Sequence, residues 1–92
     1  MGAALQMATL PFDGLSSRIR DIVVETVQTV TAEAISEDSD LFALGLDSLN
    51  TVSLVLRLEE VFGVEFEMDD IDYRTFRTVA GISELIRRKT DA

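Results

Sequence analysis

Gly45-Leu46-Asp47-Ser48-Leu49 stands directly before a strongly helical run, Asn50 to Phe62, which contains no Gly or Pro and has apolar residues at helical spacing. Asp is a residue type that caps helices by accepting a hydrogen bond from a backbone N–H in the first turn. With Asp47 as cap, Ser48 falls at the first or second helical position, its hydroxyl near the surface. A helix start carries the positive end of the macrodipole and presents N–H groups, which together favour an attached phosphate. Asp47-Ser48 alone is also an ordinary capping pair, so the reading depends on what surrounds it.

The predicted second helix, Ser48 to Phe62, carries two apolar stripes rather than one. Leu54, Val55, Leu58 and Phe62 form the first, assigned to the core. Leu49, Val52 and Leu56 form a second, flanked by Glu59 and Glu60. A short chain has too few elements to cover both, so the second stripe is expected to face solvent and to serve as a binding surface. Gly63 ends the helix as a left-handed cap.

Upstream, Leu15, Ile19, Ile22, Val23, Val27 and Val30 recur at steps of three and four and draw the core stripe of a first helix, with Asp13 or Ser16 as its cap. Thr31 to Leu46 is then a long connection, expected to plug the end of a bundle through Ile35, Leu41 and Phe42, with a helical turn near Asp40 to Leu44. Downstream, Val64 to Met68 is an extended connection burying Val64 and Phe66. Asp69 or Asp70 is expected to cap a short helix to about Thr75, with Ile71 and Tyr73 turned inward and Phe76 at the next joint. Thr78 caps a last helix lined by Val79, Ile82, Leu85 and Ile86, in which Gly81 weakens the helix or permits close packing. The expected architecture is all-α: a small four-helix bundle of three main helices and one short one, with a long loop between helices 1 and 2. Residues 1–12 read as a flexible leader and 13–90 as the domain.

Composition narrows the chemistry. Ninety-two residues allow one domain with a modest core, too small for a deep active site as well. The formal charge of −9 makes nucleic acid a poor partner, since such a surface repels phosphates. With no Cys and no His, thiol nucleophiles, imidazole bases and zinc sites of the Cys/His type are excluded. The only lysine, Lys89, sits near the frayed chain end, so Ser48 has no base to activate it and no catalytic residues are assigned. A calcium loop starting at Asp38 needs Gly at its sixth position and Glu at its twelfth, but Ala43 and Leu49 stand there. No metal is expected, no apolar run approaches membrane-spanning length, and a cytoplasmic monomer is the default.

Taken together, Asp40-Leu41-Phe42-x-x-Gly45-Leu46-Asp47-Ser48-Leu49, followed by Val52, Leu56, Glu59-Glu60 and Phe62, resembles the acyl carrier proteins, and the similarity runs from about Leu15 to Arg88. The resemblance implies that Ser48 carries 4′-phosphopantetheine through a phosphodiester, with Asp47 as helix cap and transferase contact and Leu49 beside it. It implies a substrate of a phosphopantetheinyl transferase using coenzyme A, not an enzyme. Acyl- or aminoacyl-loading ligases or transferases and downstream synthases would dock on Leu49, Val52, Leu56, Glu59 and Glu60.

Carriers of fatty-acid synthesis usually have acids at the positions of Asn50 and Ser53 and a small residue at that of Arg57. The segment Asp70-Ile71-Asp72-Tyr73-Arg74-Thr75-Phe76 instead looks like that of free-standing aminoacyl or specialised carriers. A carrier of a specialised polyketide, nonribosomal peptide or aminoacyl pathway is therefore placed before a fatty-acid carrier. A non-covalent helical adaptor would explain the acidic surface and exposed stripe, but not why that stripe starts at Ser48.

Overall fold

The computed structural model describes residues 14–27 and 31–91. Among these residues four helices follow in order: α1 Gly14–Thr26, α2 Ser48–Phe62, α3 Tyr73–Phe76 and α4 Val79–Asp91, with 3-10 turns at Ala32–Ala34 and Met68–Asp70. No strand occurs among the described residues, and Val64 to Glu67 is extended without pairing. The expected all-α arrangement of three main helices and one short helix is the one observed. The leader, Asp13 and Val30 lie outside the described residues.

The apolar stripes decide the packing, because each helix must bury one face against another. Ile19, Ile22 and Val23 of α1 meet Leu54, Val55 and Leu58 of α2 and Val79, Ile82, Leu85 and Ile86 of α4 in one core, closed by Phe76 of α3. Val27, just past α1, is buried in the same cluster. Ser16 does not cap α1: it is buried in the first turn, and its Oγ donates to Ser83 Oγ of α4 at 3.4 Å. A hydroxyl fits there because a second hydroxyl satisfies it at a close helix contact. Phe62 is only half-buried, with the Arg18 guanidinium 4.8 Å from its ring centroid.

The long connection is ordered by the α3–α4 junction. Leu41 N donates to Arg77 O at 2.7 Å, Ala80 N donates to Glu37 O at 3.0 Å, and Arg77 pairs with Asp40 at 3.4 Å. Asp40 Oδ1 accepts from Phe42 N and Ala43 N, shaping the expected helical turn. Ile35, Leu41 and Leu46 sink into the core while Phe42 stays half-buried. Loop backbone that cannot pair in a helix thus finds partners on a neighbouring element.

The segment after α2 departs from expectation. Gly63 is a left-handed cap at φ 66°, as expected. Neither Asp69 nor Asp70 caps the short helix; Asp72 does, accepting from Thr75 N at 2.7 Å. The two-residue shift leaves Ile71 and Tyr73 exposed rather than inward. Tyr73 stacks on Phe42, ring centroids 4.8 Å apart, which ties α3 to the long loop. Thr78 Oγ1 accepts from Gly81 N at 3.0 Å at the start of α4, as expected. Gly81 permits close packing: a Cβ there would stand 2.5 Å from the Thr75 carbonyl oxygen, so no side chain fits.

Lys89 is not at a frayed end. α4 continues past it, and its Nζ pairs with Asp70 Oδ2 at 2.7 Å. Asp70 also accepts from Glu67 N at 2.8 Å. These bonds, Lys89 first, hold the Asp70 carboxyl below the usual carboxylate range, and the Thr75 N–H does the same for Asp72. A carboxyl depressed in the folded state stabilises above its unfolded value, about pH 4, and that stability is lost as pH falls through the folded value. The melting temperature should therefore drop as pH is lowered below about 4, and Asp70→Asn should make that drop shallower. An unchanged slope in Asp70→Asn would show that this ion pair contributes nothing to acid sensitivity.

Candidate functional site

The site is built where the long connection turns into α2. Leu46, one residue before the cap, is buried, and its N–H donates to Leu41 O at 2.9 Å. This plants the chain before Asp47 in the core. Sequence reasoning did not single out Leu46 as core; its place between two exposed residues in a connection carries no periodic signal. Gly45 sits at φ 124°, a region L-residues rarely enter, which accounts for Gly at that point of the turn.

Asp47 adopts extended backbone at φ −130°, and its Oδ1 accepts from Asn50 N at 2.9 Å, while Thr51 N and Oγ1 both reach Asp47 O. The expected cap is thus in place. Ser48 is the first residue of the fifteen-residue α2, and its side chain is exposed. It stands at the positive end of the helix macrodipole, and no acidic residue lies in the first turn.

From Ser48 the second apolar stripe runs along α2 into solvent. Leu49, Val52 and Leu56 are 81%, 59% and 61% exposed, whereas Leu54 and Leu58 are fully buried. The structure extends this patch in a way the sequence reading missed. Ile71, expected inside, joins Thr51, Val52, Val55 and Leu56 around a small notch of about 120 Å³. The signal for this was Asp72, a capping residue type directly after Ile71, which puts Ile71 outside the helix that follows.

The two rim acids are drawn into the fold to different degrees. Glu59 Oε2 accepts from Phe66 N at 2.8 Å, fastening the connection after α2, so this carboxylate is partly occupied. Glu60 pairs with Arg57 at 2.8 Å, and Arg57 also reaches Glu25 of α1 at 3.5 Å. Among the described residues no group of three or more acidic side chains is arranged to hold a metal. No described helix is long and apolar enough to cross a membrane.

Ser48 thus presents an exposed hydroxyl at the N-terminus of a long helix. Residues 17–86 match the family model described as phosphopantetheine attachment site. The chain belongs to this family. It is therefore a carrier domain rather than a catalyst, and phosphopantetheine is its cofactor. Among curated proteins, an aminoacyl carrier protein of Agrobacterium fabrum is 30% identical over 74 residues, covering 79% of this chain and 89% of that one.

Two solved structures are similar across most of the domain. One is the structure of an engineered Bradyrhizobium japonicum glycine:carrier protein ligase complexed with carrier protein from Agrobacterium tumefaciens and ATP. The match there has a TM-score of 0.73 and 29% identity, and covers 80% of this chain and 97% of that one. The other is a solution structure from Agrobacterium tumefaciens, with a TM-score of 0.68 and 30% identity over 83% of this chain and 93% of that one. The exposed Ser48, the start of the apolar stripe and the N-terminus of α2 coincide at one point.

Proposed function

We propose that this protein is an aminoacyl carrier in which Ser48 bears 4′-phosphopantetheine, and that residues 13–90 form the carrier domain. The observation that carries this reading is that Ser48 is exposed at the start of α2 and opens directly onto the exposed Leu49, Val52 and Leu56. A transferase can reach the hydroxyl without unfolding anything, and supplies the base and magnesium the chain lacks. When bound, the group provides a terminal thiol that holds a carboxylic acid as a thioester.

The chain's own residues then do three things. Asp47 and the α2 N-terminus fix and electrostatically favour the phosphodiester position. The stripe of Leu49, Val52 and Leu56, with Glu59 and Glu60 on its rim, offers the contact for partner enzymes. Tethering makes each delivery quasi-intramolecular once a partner is docked. The absence of acids from the first turn of α2, where Asn50 stands, supports an aminoacyl pathway over fatty-acid synthesis. The aminoacyl carrier relative supports it as well, and the structure with a glycine:carrier protein ligase suggests an ATP-dependent amino acid ligase as loading partner.

Loading tests the assignment. After incubation with coenzyme A, magnesium and a broad-specificity transferase, intact mass should rise by one phosphopantetheinyl group. Addition of ATP, an amino acid and an amino acid:carrier protein ligase should then add one aminoacyl group. A holo-protein that accepts malonyl groups from a fatty-acid transferase but no amino acid would favour the fatty-acid reading. A chain that gains no mass at all would favour the adaptor.

A further inference from the structure

Asn50, the third residue of α2, holds the turn before Ser48 at two points. Its backbone N–H donates to Asp47 Oδ1 at 2.9 Å, and its side-chain Nδ2 donates to Gly45 O at 3.2 Å. Generic helix physics favours an acid here. A carboxylate at the third position can close a capping box onto the cap residue's N–H and complements the positive helix end. Asn forgoes that advantage, but it supplies a donor that a carboxylate lacks. The acceptor it serves is the carbonyl of Gly45, in the left-handed region at φ 124°. Behind that carbonyl, Gly45 N donates to Phe42 O at 3.3 Å and Leu46 N to Leu41 O at 2.9 Å. Ser48 thus lies between a buried anchor at Leu46 and a side-chain lock at Asn50.

We infer that Asn50 is a positioning residue for modification: its side-chain amide locks the Gly45–Asp47 turn so that the Ser48 hydroxyl is presented in one pose. The inference rests on the reading of Ser48 as the attachment residue. It also gives the neutral first turn of α2 a local cause, since an acid at this position would face the Gly45 carbonyl without a proton to donate.

The test compares Asn50→Asp, nearly isosteric and without the donor, with Asn50→Ala, without donor or charge. Loss of one hydrogen bond predicts transferase kcat reduced about fivefold in both, with KM changed by less than about twofold. The Asn50→Asp protein should melt no lower than the parent, because the new acid suits the helix start. A merely structural residue would instead lower activity and melting temperature together. A loss confined to KM, or to Asn50→Asp alone, would assign Asn50 to docking or charge and overturn the inference, as would unchanged kcat in both variants. Amide exchange at Leu46 in the unmodified chain gives an independent reading and should quicken about fivefold in both variants. If the parent is never phosphopantetheinylated, the carrier reading fails, and unchanged exchange would separately show that there is no lock.

Discussion

Ser48→Ala is expected to gain no phosphopantetheinyl group under conditions that convert the parent completely. The loss is total because, among the described residues, no other hydroxyl is placed as Ser48 is, exposed at the first position of a long helix behind an Asp cap. The fold should hardly change. The cap bond comes from Asp47, not Ser48, and an exposed substitution of this kind stays within about 0.5 kcal/mol. Asp47→Ala is the contrasting control. It removes the bond to Asn50 N and should cost about 1 kcal/mol of stability. Intact-mass spectra and thermal melts of the two variants separate the roles. Modification that persists in Ser48→Ala would place the attachment elsewhere and remove the basis of the proposed function.

The second large effect is a contrast along one helix. Leu58→Ala should destabilise the protein by about 2–5 kcal/mol, because Leu58 of α2 is fully buried in the core and its removal leaves a cavity. Against a typical total of about 5–15 kcal/mol, that is a large share of what holds the domain together. Leu56→Ala, two residues away on the exposed face, should change stability by less than about 1 kcal/mol, yet slow transfer to or from partner enzymes. Phe62→Ala should fall between the two, since that ring is only half-buried. Urea denaturation set against loading rates resolves the matter. If Leu56→Ala unfolds as readily as Leu58→Ala, the exposed stripe carries the fold and is not a docking surface. Glu60→Lys should also weaken docking, less so at high salt, because its charge lies on the exposed rim.

The difference between these two leucines was legible in the chain itself. Two stripes on one helix, in a protein too short to cover both, leave one facing water. The same holds for the bounds of α2, since Asp47 and Gly63 are residue types whose chemistry starts and stops helices. It holds for the exposed place of Ser48 too, because an Asp directly before it sets the helix start. The short helix was less legible. Three acids, Asp69, Asp70 and Asp72, lie within four residues, and local propensity does not say which one caps. Asp72 was selected by Phe76, which must reach the core, and by Tyr73, which stacks on Phe42 some thirty residues earlier.

Sequence alone determined the elements whose signal is periodic or local: the three long stripes, the caps of α2, the helical class and the residue that presents a hydroxyl. Tertiary structure decided what depends on partners distant in the chain. Leu46 is core because it packs into the cluster formed by the long helices, and Ser16 is buried because Ser83 faces it. Lys89 of α4 is held at Asp70. Each of these contacts gains its energy only after a loop has closed. Nothing in the residue's immediate neighbours can report a partner that chain closure has yet to bring near.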